Sequence, residues 1–271
     1  MRRFYEELRR LGYEEGKNLV VERFSAEGSS SRFNSIAAEI VSRAPDVIVT
    51  NFNSLVKALT AATTTIPIVG ITGDPLAGGL ISNLARPGGN LTGVSIDAGV
   101  GIVAKRQQIL KEVVPTAAKV AYLFGSRSEE QRLGSAQVGK FLAEVNEAQL
   151  RGAFAEMAEQ KVDAAIVSES GSFLAWRALI IELAAKHRLP AIYPFRDYAE
   201  AGGLVAYAPD LGELAARMAS DVHQILNGTK PGEIPYYQPT KFELVINLKT
   251  AKALGLAIPS TLLALAHEVI E

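Results

Sequence analysis

The sequence predicts an α/β fold built as two doubly wound parallel-sheet lobes. Helical and strand-like periodicities alternate along the chain, and the second half repeats the pattern of the first. Pro45-Asp46-Val47-Ile48-Val49-Thr50 has its counterpart in Val162-Asp163-Ala164-Ala165-Ile166-Val167-Ser168, and Ile66-Pro67-Ile68-Val69 in Leu189-Pro190-Ala191-Ile192-Tyr193. A unit this long, repeated once, gives two similar lobes and not a solenoid.

Taken in order, Met1–Tyr13 reads as an amphipathic helix, with Phe4, Leu8 and Leu11 on one face and Gly12 at its end. Asn18–Phe24 is β-branched and apolar, a strand. Ser31–Arg43 returns to helical spacing, and Asp46–Thr50 is a short apolar run of the kind buried on both faces of a parallel sheet. The alternation continues through Ser54–Thr64, Ile66–Ile71, a Gly- and Pro-rich loop over 74–89, Leu91–Ile96 and Ile102–Val114. In the second half Lys119–Phe124 is a strand and Leu150–Gln160 a helix. They are followed by strand 164–167, helix Ser172–His187 and strand 189–193.

Composition narrows the function classes. The 271 residues are 48% hydrophobic and 21% charged, which excludes wholesale disorder. A net charge of -1 gives no footprint for nucleic acid or an anionic membrane. With no cysteine there is no disulfide, thiolate metal site or Cys nucleophile. The apolar stretch Ile66–Ala85 carries Asp74, and Ala253–Ala266 is shorter than the roughly 20 residues of a spanning helix. No membrane insertion is therefore expected. The first residues as given are charged at every turn, without the apolar run of a signal peptide.

No enzyme motif stands up. Gly99-Val100-Gly101-Ile102-Val103-Ala104 fits a dinucleotide fingerprint, but it follows a late strand, and Lys119–Phe124 ends without an acid for a ribose. His187, His223 and His267 are scattered, with no partner at metal-ligand spacing. Ser168-Glu169-Ser170-Gly171-Ser172 lies at a strand end, where helix capping and ligand hydrogen bonding suit it better than nucleophilic attack. No catalytic residue, metal or cofactor is assigned.

The strand ends are more informative. Asn51, Phe52 and Asn53, then Thr72 and Asp74, close strands of the first lobe. Ser126, Glu169, Tyr193, Phe195 and Arg196, with Tyr207, belong to the second. Most stand at helix N-termini, where amide groups and the helix dipole suit a carboxylate. Asp74 or Glu169 suits an ammonium group, and Phe52, Tyr193, Phe195 or Tyr207 a ring. Ligands of α/β folds bind beyond the carboxyl ends of the strands, so these residues are expected to face one cleft between the lobes.

Four stretches carry a family resemblance. They are Leu11-Gly12-Tyr13-Glu14-Glu15-Gly16-Lys17-Asn18, the segment LARPGGNLTG over 84–93, AAKHRLPAIY over 184–193 and PTKFELVINLKTAKALGL over 239–256. In these the chain resembles bacterial ABC-transporter substrate-binding proteins of the tryptophan/tyrosine type, with a type I periplasmic-binding fold. The resemblance implies an exported, non-enzymatic carrier that closes two lobes on a small amino-acid-like solute and delivers it to a membrane permease. It also implies lobes of 1–97 with 209–234 and 98–208 with 235–271, joined by three crossings within Thr92–Gly101, Ala206–Asp210 and Pro235–Thr240.

The chain departs from the family pattern in three places. It opens on the helix that should follow a first, central strand. Ser126–Val145 is short for a helix plus strand and contains Gly134 and Gly139. Ser170-Gly171 stands where an Asp-Pro is expected, with Glu169 as the substitute acid. The first lobe is accordingly expected to lack its central strand, with Asn18–Phe24 pairing with Val47–Thr50 or leaving a vacant lane. Two rival readings are a cytoplasmic ligand-sensing module of the same fold and an NAD-dependent enzyme using Gly99–Ala104.

Overall fold

The computed structural model describes residues 2–27, 29–96, 100–124, 138–142, 145–169 and 171–271. The chain divides into two compact units, Met1–Ala98 with Asp210–Lys241 and Gly99–Pro209 with Phe242–Glu271, so it passes between them three times. Among the described residues no helix is long and apolar enough to cross a membrane.

The first unit is a parallel sheet of β1 (Ile48–Asn51), β2 (Ile68–Thr72) and β3 (Leu91–Ser95), in that order. Side chains alternate across it as a strand requires. Val69 and Val94 face helices Arg2–Arg10 and Leu211–Leu226, packing with Phe4, Leu8, Leu214 and Met218. Ile68 and Leu91 face helices Phe33–Ser42 and Asn53–Ala62, packing with Ala37, Val56 and Leu59. The register sets Asn51 beside Ile71 and Thr72 beside Ser95, so the polar strand ends gather at one edge.

Two expectations about this unit change. Asn18–Phe24 does not form a ladder: its one pairing is the bridge from Leu19 to Glu15. Arg23 folds back on Glu15 through bonds of 2.7 and 2.8 Å, and Val20 is 87% exposed. The β-branched composition had no neighbouring strand to act on. The outer edge of β1 has no strand partner among the described residues. The second change is that Pro235–Lys241, expected with the second lobe, belongs to this unit. Tyr237 accepts from Ser95 N (2.7 Å) and donates its own N–H to Gly93 O (2.8 Å), while the Tyr236 N–H reaches Leu84 O.

The second unit holds a seven-stranded sheet of β4 (Val120–Phe124), β5 (Val138–Phe141), β6 (Ala164–Val167), β7 (Ala191–Tyr193), β8 (Val205–Pro209), β9 (Phe242–Asn247) and β10 (Glu268–Ile270). The order is β10-β9-β8-β7-β6-β4-β5. Pairings are parallel except β8 with β9. That exception follows from connectivity. The chain leaves this unit after Pro209 and returns at Phe242, its register partner, so β9 must run back along β8. Helix Val100–Val113 buries Ile109, Leu110 and Val113 against Tyr122, Ile166 and Ile192 on one face of the sheet. The expected helix Ser172–His187 is two pieces, Gly171–Ala175 and Arg177–Lys186, separated at Trp176.

A buried acid in the first unit yields a pH prediction. Asp221 on helix Leu211–Leu226 is fully buried, and among the described residues neither carboxylate oxygen receives a hydrogen bond. Arg217 Nε lies 3.1 Å from Oδ1 without bonding geometry, and the Tyr236 ring is near enough to feel the charge. Burial pushes this carboxyl up to about 7 against the opposing pull of Arg217. The folded state then holds the proton more tightly than the unfolded chain. Stability from this group is full below about pH 4 and is lost as pH rises to about 7. Asp221→Asn should therefore raise the melting temperature at pH 8 by a few degrees, on the order of 1–2 kcal/mol, and change it little at pH 4. Parallel melting curves across that range for both proteins would contradict this.

Candidate functional site

In the first unit the strand ends form a compact polar face. Asn51 ends β1 and is exposed, Phe52 follows it, and Asn53 opens the next helix. The Asn53 side-chain oxygen accepts from Gly73 N at 2.9 Å, tying the loop after β1 to the loop after β2. Thr72 ends β2, 1% exposed, with its hydroxyl 2.8 Å from that of Tyr236 and donating to Gly73 O at 3.1 Å. Asp74 accepts from the N–H groups of Leu76 and Ala77, both at 2.9 Å, and closes the turn that follows. The structure thus brings Asn51, Phe52, Asn53, Thr72 and Asp74 to one strand-end face.

Phe52 sits at φ 67° and ψ 127°, a region that residues with a Cβ avoid, while its side chain is 47% exposed. Such a conformation costs roughly 1–3 kcal/mol and persists only where its surroundings enforce it. Phe52→Gly removes the strain and little buried area, so we expect the melting temperature to rise by about 2–4 °C. A fall instead would mean that the ring packs more strongly than its exposure indicates.

The second unit centres on an arginine. Arg106, on helix Val100–Val113, has a fully buried side chain. Its Nε donates to Tyr207 O at 3.0 Å and its Nη1 to Glu169 Oε1. Tyr207 lies on β8 and Glu169 follows β6, with β7 between them, so the guanidinium spans the carboxyl end of β7. Glu169 stays 13% exposed. Beside it, Ser168 is fully buried and its hydroxyl has no partner among the described residues, as is true of Arg106 Nη2. The arrangement offers one cation, one anion and unspent donors at a place where α/β folds receive ligands. Among the described residues, no cluster of three or more His, Cys, Asp or Glu could hold a metal.

The chain can now be set beside known proteins. A family model described as ABC transporter substrate binding protein matches residues 2–270. The chain belongs to this family. A "Tyrosine-binding protein" of Clostridioides difficile (strain R20291) is 23% identical over 264 residues, 93% of this chain and 75% of the relative. A conserved domain protein from Vibrio cholerae has 27% identity and a TM-score of 0.91 over 99% of this chain and 93% of its own. A Streptococcus pneumonia ABC domain in complex with L-Trp has 23% identity and a TM-score of 0.89 with the same coverage. These likenesses place the chain among substrate-binding proteins and favour that reading over the sensor and the NAD enzyme.

In this substrate-binding protein the remaining expected residues have other surroundings. Tyr193 is 1% exposed, stacked on Tyr198 at 4.8 Å between ring centroids, and lies in the core. Phe195 is also buried, at the start of helix Arg196–Glu200. Arg196 is engaged by three carboxylates, Glu200 (2.8 Å), Glu243 (3.1 Å) and Glu268. Tyr207 stacks on Phe242 at 5.5 Å, and burial raises its phenol while Arg106 opposes the shift. Ser126 lies outside the described residues, as does Gly99 of the glycine motif. A hollow of about 180 Å³ lined by Gln107, Leu110, Lys111, Ala117 and Val120 sits at the opposite, amino end of β4. Sequence reasoning missed Arg106, although one signal was available. It occupies the i+4 position between Ile102 and Ile109 on the apolar face of its helix.

Proposed function

We propose that this protein carries a small aromatic amino acid and hands it to the permease of an ABC importer, acting as a binder and not as an enzyme. The observation that carries this reading is the Arg106–Glu169 pair at the carboxyl end of β6, opposite charges that complement a zwitterion. The ligands for which the relatives are named, tyrosine and L-Trp, belong to the same solute class. In this reading Glu169 holds the ammonium group. Phe52, Asn51, Asn53, Thr72 and Asp74 are the first unit's contacts with the solute, and binding proceeds by hinge closure. Its place of work is outside the cytoplasmic membrane, as in the family it belongs to.

Calorimetric titration tests the proposal. L-tryptophan or L-tyrosine should bind saturably at about one per chain, and NAD should give no heat. Glu169→Gln should weaken that binding by about ten- to a hundredfold, the value of a hydrogen bond to a charged group. Binding of NAD with no response to either amino acid would reject it.

A further inference from the structure

We propose that Arg106 Nη2 and Ser168 Oγ form the carboxylate-reading subsite of this protein, an inference that rests on the amino-acid reading above. Both atoms are buried polar donors without a partner among the described residues. A buried donor left unpaired is costly, so such groups are normally satisfied by protein, water or ligand. The two are linked through Glu169: Ser168 precedes it in the chain, and Glu169 takes the other terminal nitrogen of the same guanidinium.

The position suits the role. Nε and Nη1 are committed to Tyr207 O and Glu169, which fixes the plane of the guanidinium across the end of β7 and leaves Nη2 as its remaining nitrogen. A carboxylate accepting from Nη2 and from the serine hydroxyl satisfies both orphans at once. Its charge is met by the arginine, while Glu169 faces the ammonium group on the same ligand. An α-amino acid presents these two groups one carbon apart, which matches a pair of adjacent, oppositely charged receptors. Elsewhere in this unit the arginine at the end of β7, Arg196, is already saturated by its three carboxylates.

The test compares L-tryptophan with L-tryptophan amide, which keeps the ring and the ammonium but has no carboxylate charge. The protein should prefer the acid by about ten- to a hundredfold. Ser168→Ala removes an orphaned hydroxyl, so the unliganded melting temperature should hold or rise. Its affinity for tryptophan should fall by about tenfold with that for the amide unchanged. Arg106→Lys, which keeps the charge but loses the fork, should erase most of the acid-over-amide preference. A purely structural role for either residue would shift both ligands equally. Equal shifts, or a tryptophan affinity in Ser168→Ala within about twofold of the parent, would overturn the subsite while leaving the amino-acid reading in place. Failure of the unaltered protein to bind tryptophan or tyrosine would instead bring down the amino-acid reading, and the subsite with it.

Discussion

Arg106→Met is expected to lower the melting temperature by about 6–20 °C, the consequence of losing roughly 3–5 kcal/mol when one partner of a buried ion pair is removed. The methionine fills much of the space but donates to nothing. Tyr207 O loses the bond from Nε, and the Glu169 carboxylate, only 13% exposed, is left beside a thioether. Helix Val100–Val113 would then be held to β8 and the end of β6 by apolar packing alone. Adding Glu169→Gln to Arg106→Met should recover part of the loss, because the stranded charge is then gone. Thermal unfolding of the single and double variants checks this. An Arg106→Met protein within about 3 °C of the parent would show that the pair is already compensated.

The architecture was legible because its signals are local. Asp46–Thr50, Ile66–Ile71 and Leu91–Ile96 emerge as β1, β2 and β3 to within a residue or two, since short apolar runs between helical periodicities leave few alternatives. Strand ends of the first unit were legible for the same reason. Asn51, Phe52, Asn53, Thr72 and Asp74 stand at or just after the ends of two neighbouring strands, and parallel register alone brings those ends together.

The directions of the strand-end side chains in the second unit were harder to read. Ile192 and Tyr193 are both apolar, so no alternation tells which side chain points where, and Tyr193 turns into the core against Tyr198. Gly203 is the other half of that arrangement. A side chain there would come within 2.6 Å of the Tyr193 ring, a constraint invisible in a linear reading. Arg196 was legible as a charge but not as a spent one, since Glu243 and Glu268 arrive from the far end of the chain. The strand expected at Asn18–Phe24 failed in the opposite way. Composition favoured an extended segment, but a ladder is made by its neighbour, and the segment has none among the described residues.

Gly93→Ala should be the most damaging small substitution in the first unit. Gly93 lies within β3 at φ 148°, opposite Gly70 of β2. A Cβ there would lie 2.0 Å from Gly70 O, 2.6 Å from Gly70 N and 2.8 Å from Gly70 C. All three are backbone atoms of a central strand, so no side chain can give way. Relief requires β3 to move off β2, breaking their ladder and the bonds that Ser95 and Gly93 make with Tyr237. The reciprocal substitution is gentler. At Gly70 a Cβ meets Val56 Cγ2 at 3.1 Å and the Tyr236 hydroxyl at 3.5 Å, both ends of side chains. Gly70→Ala is therefore expected to cost about 1–3 kcal/mol and to yield folded protein. For Gly93→Ala the expected loss exceeds about 4 kcal/mol, close to the whole stability of many domains, with little soluble protein recovered. Soluble yield and melting temperature of the two variants decide the matter. If they melt within about 3 °C of each other, the close approach of β2 and β3 is not what holds this sheet together.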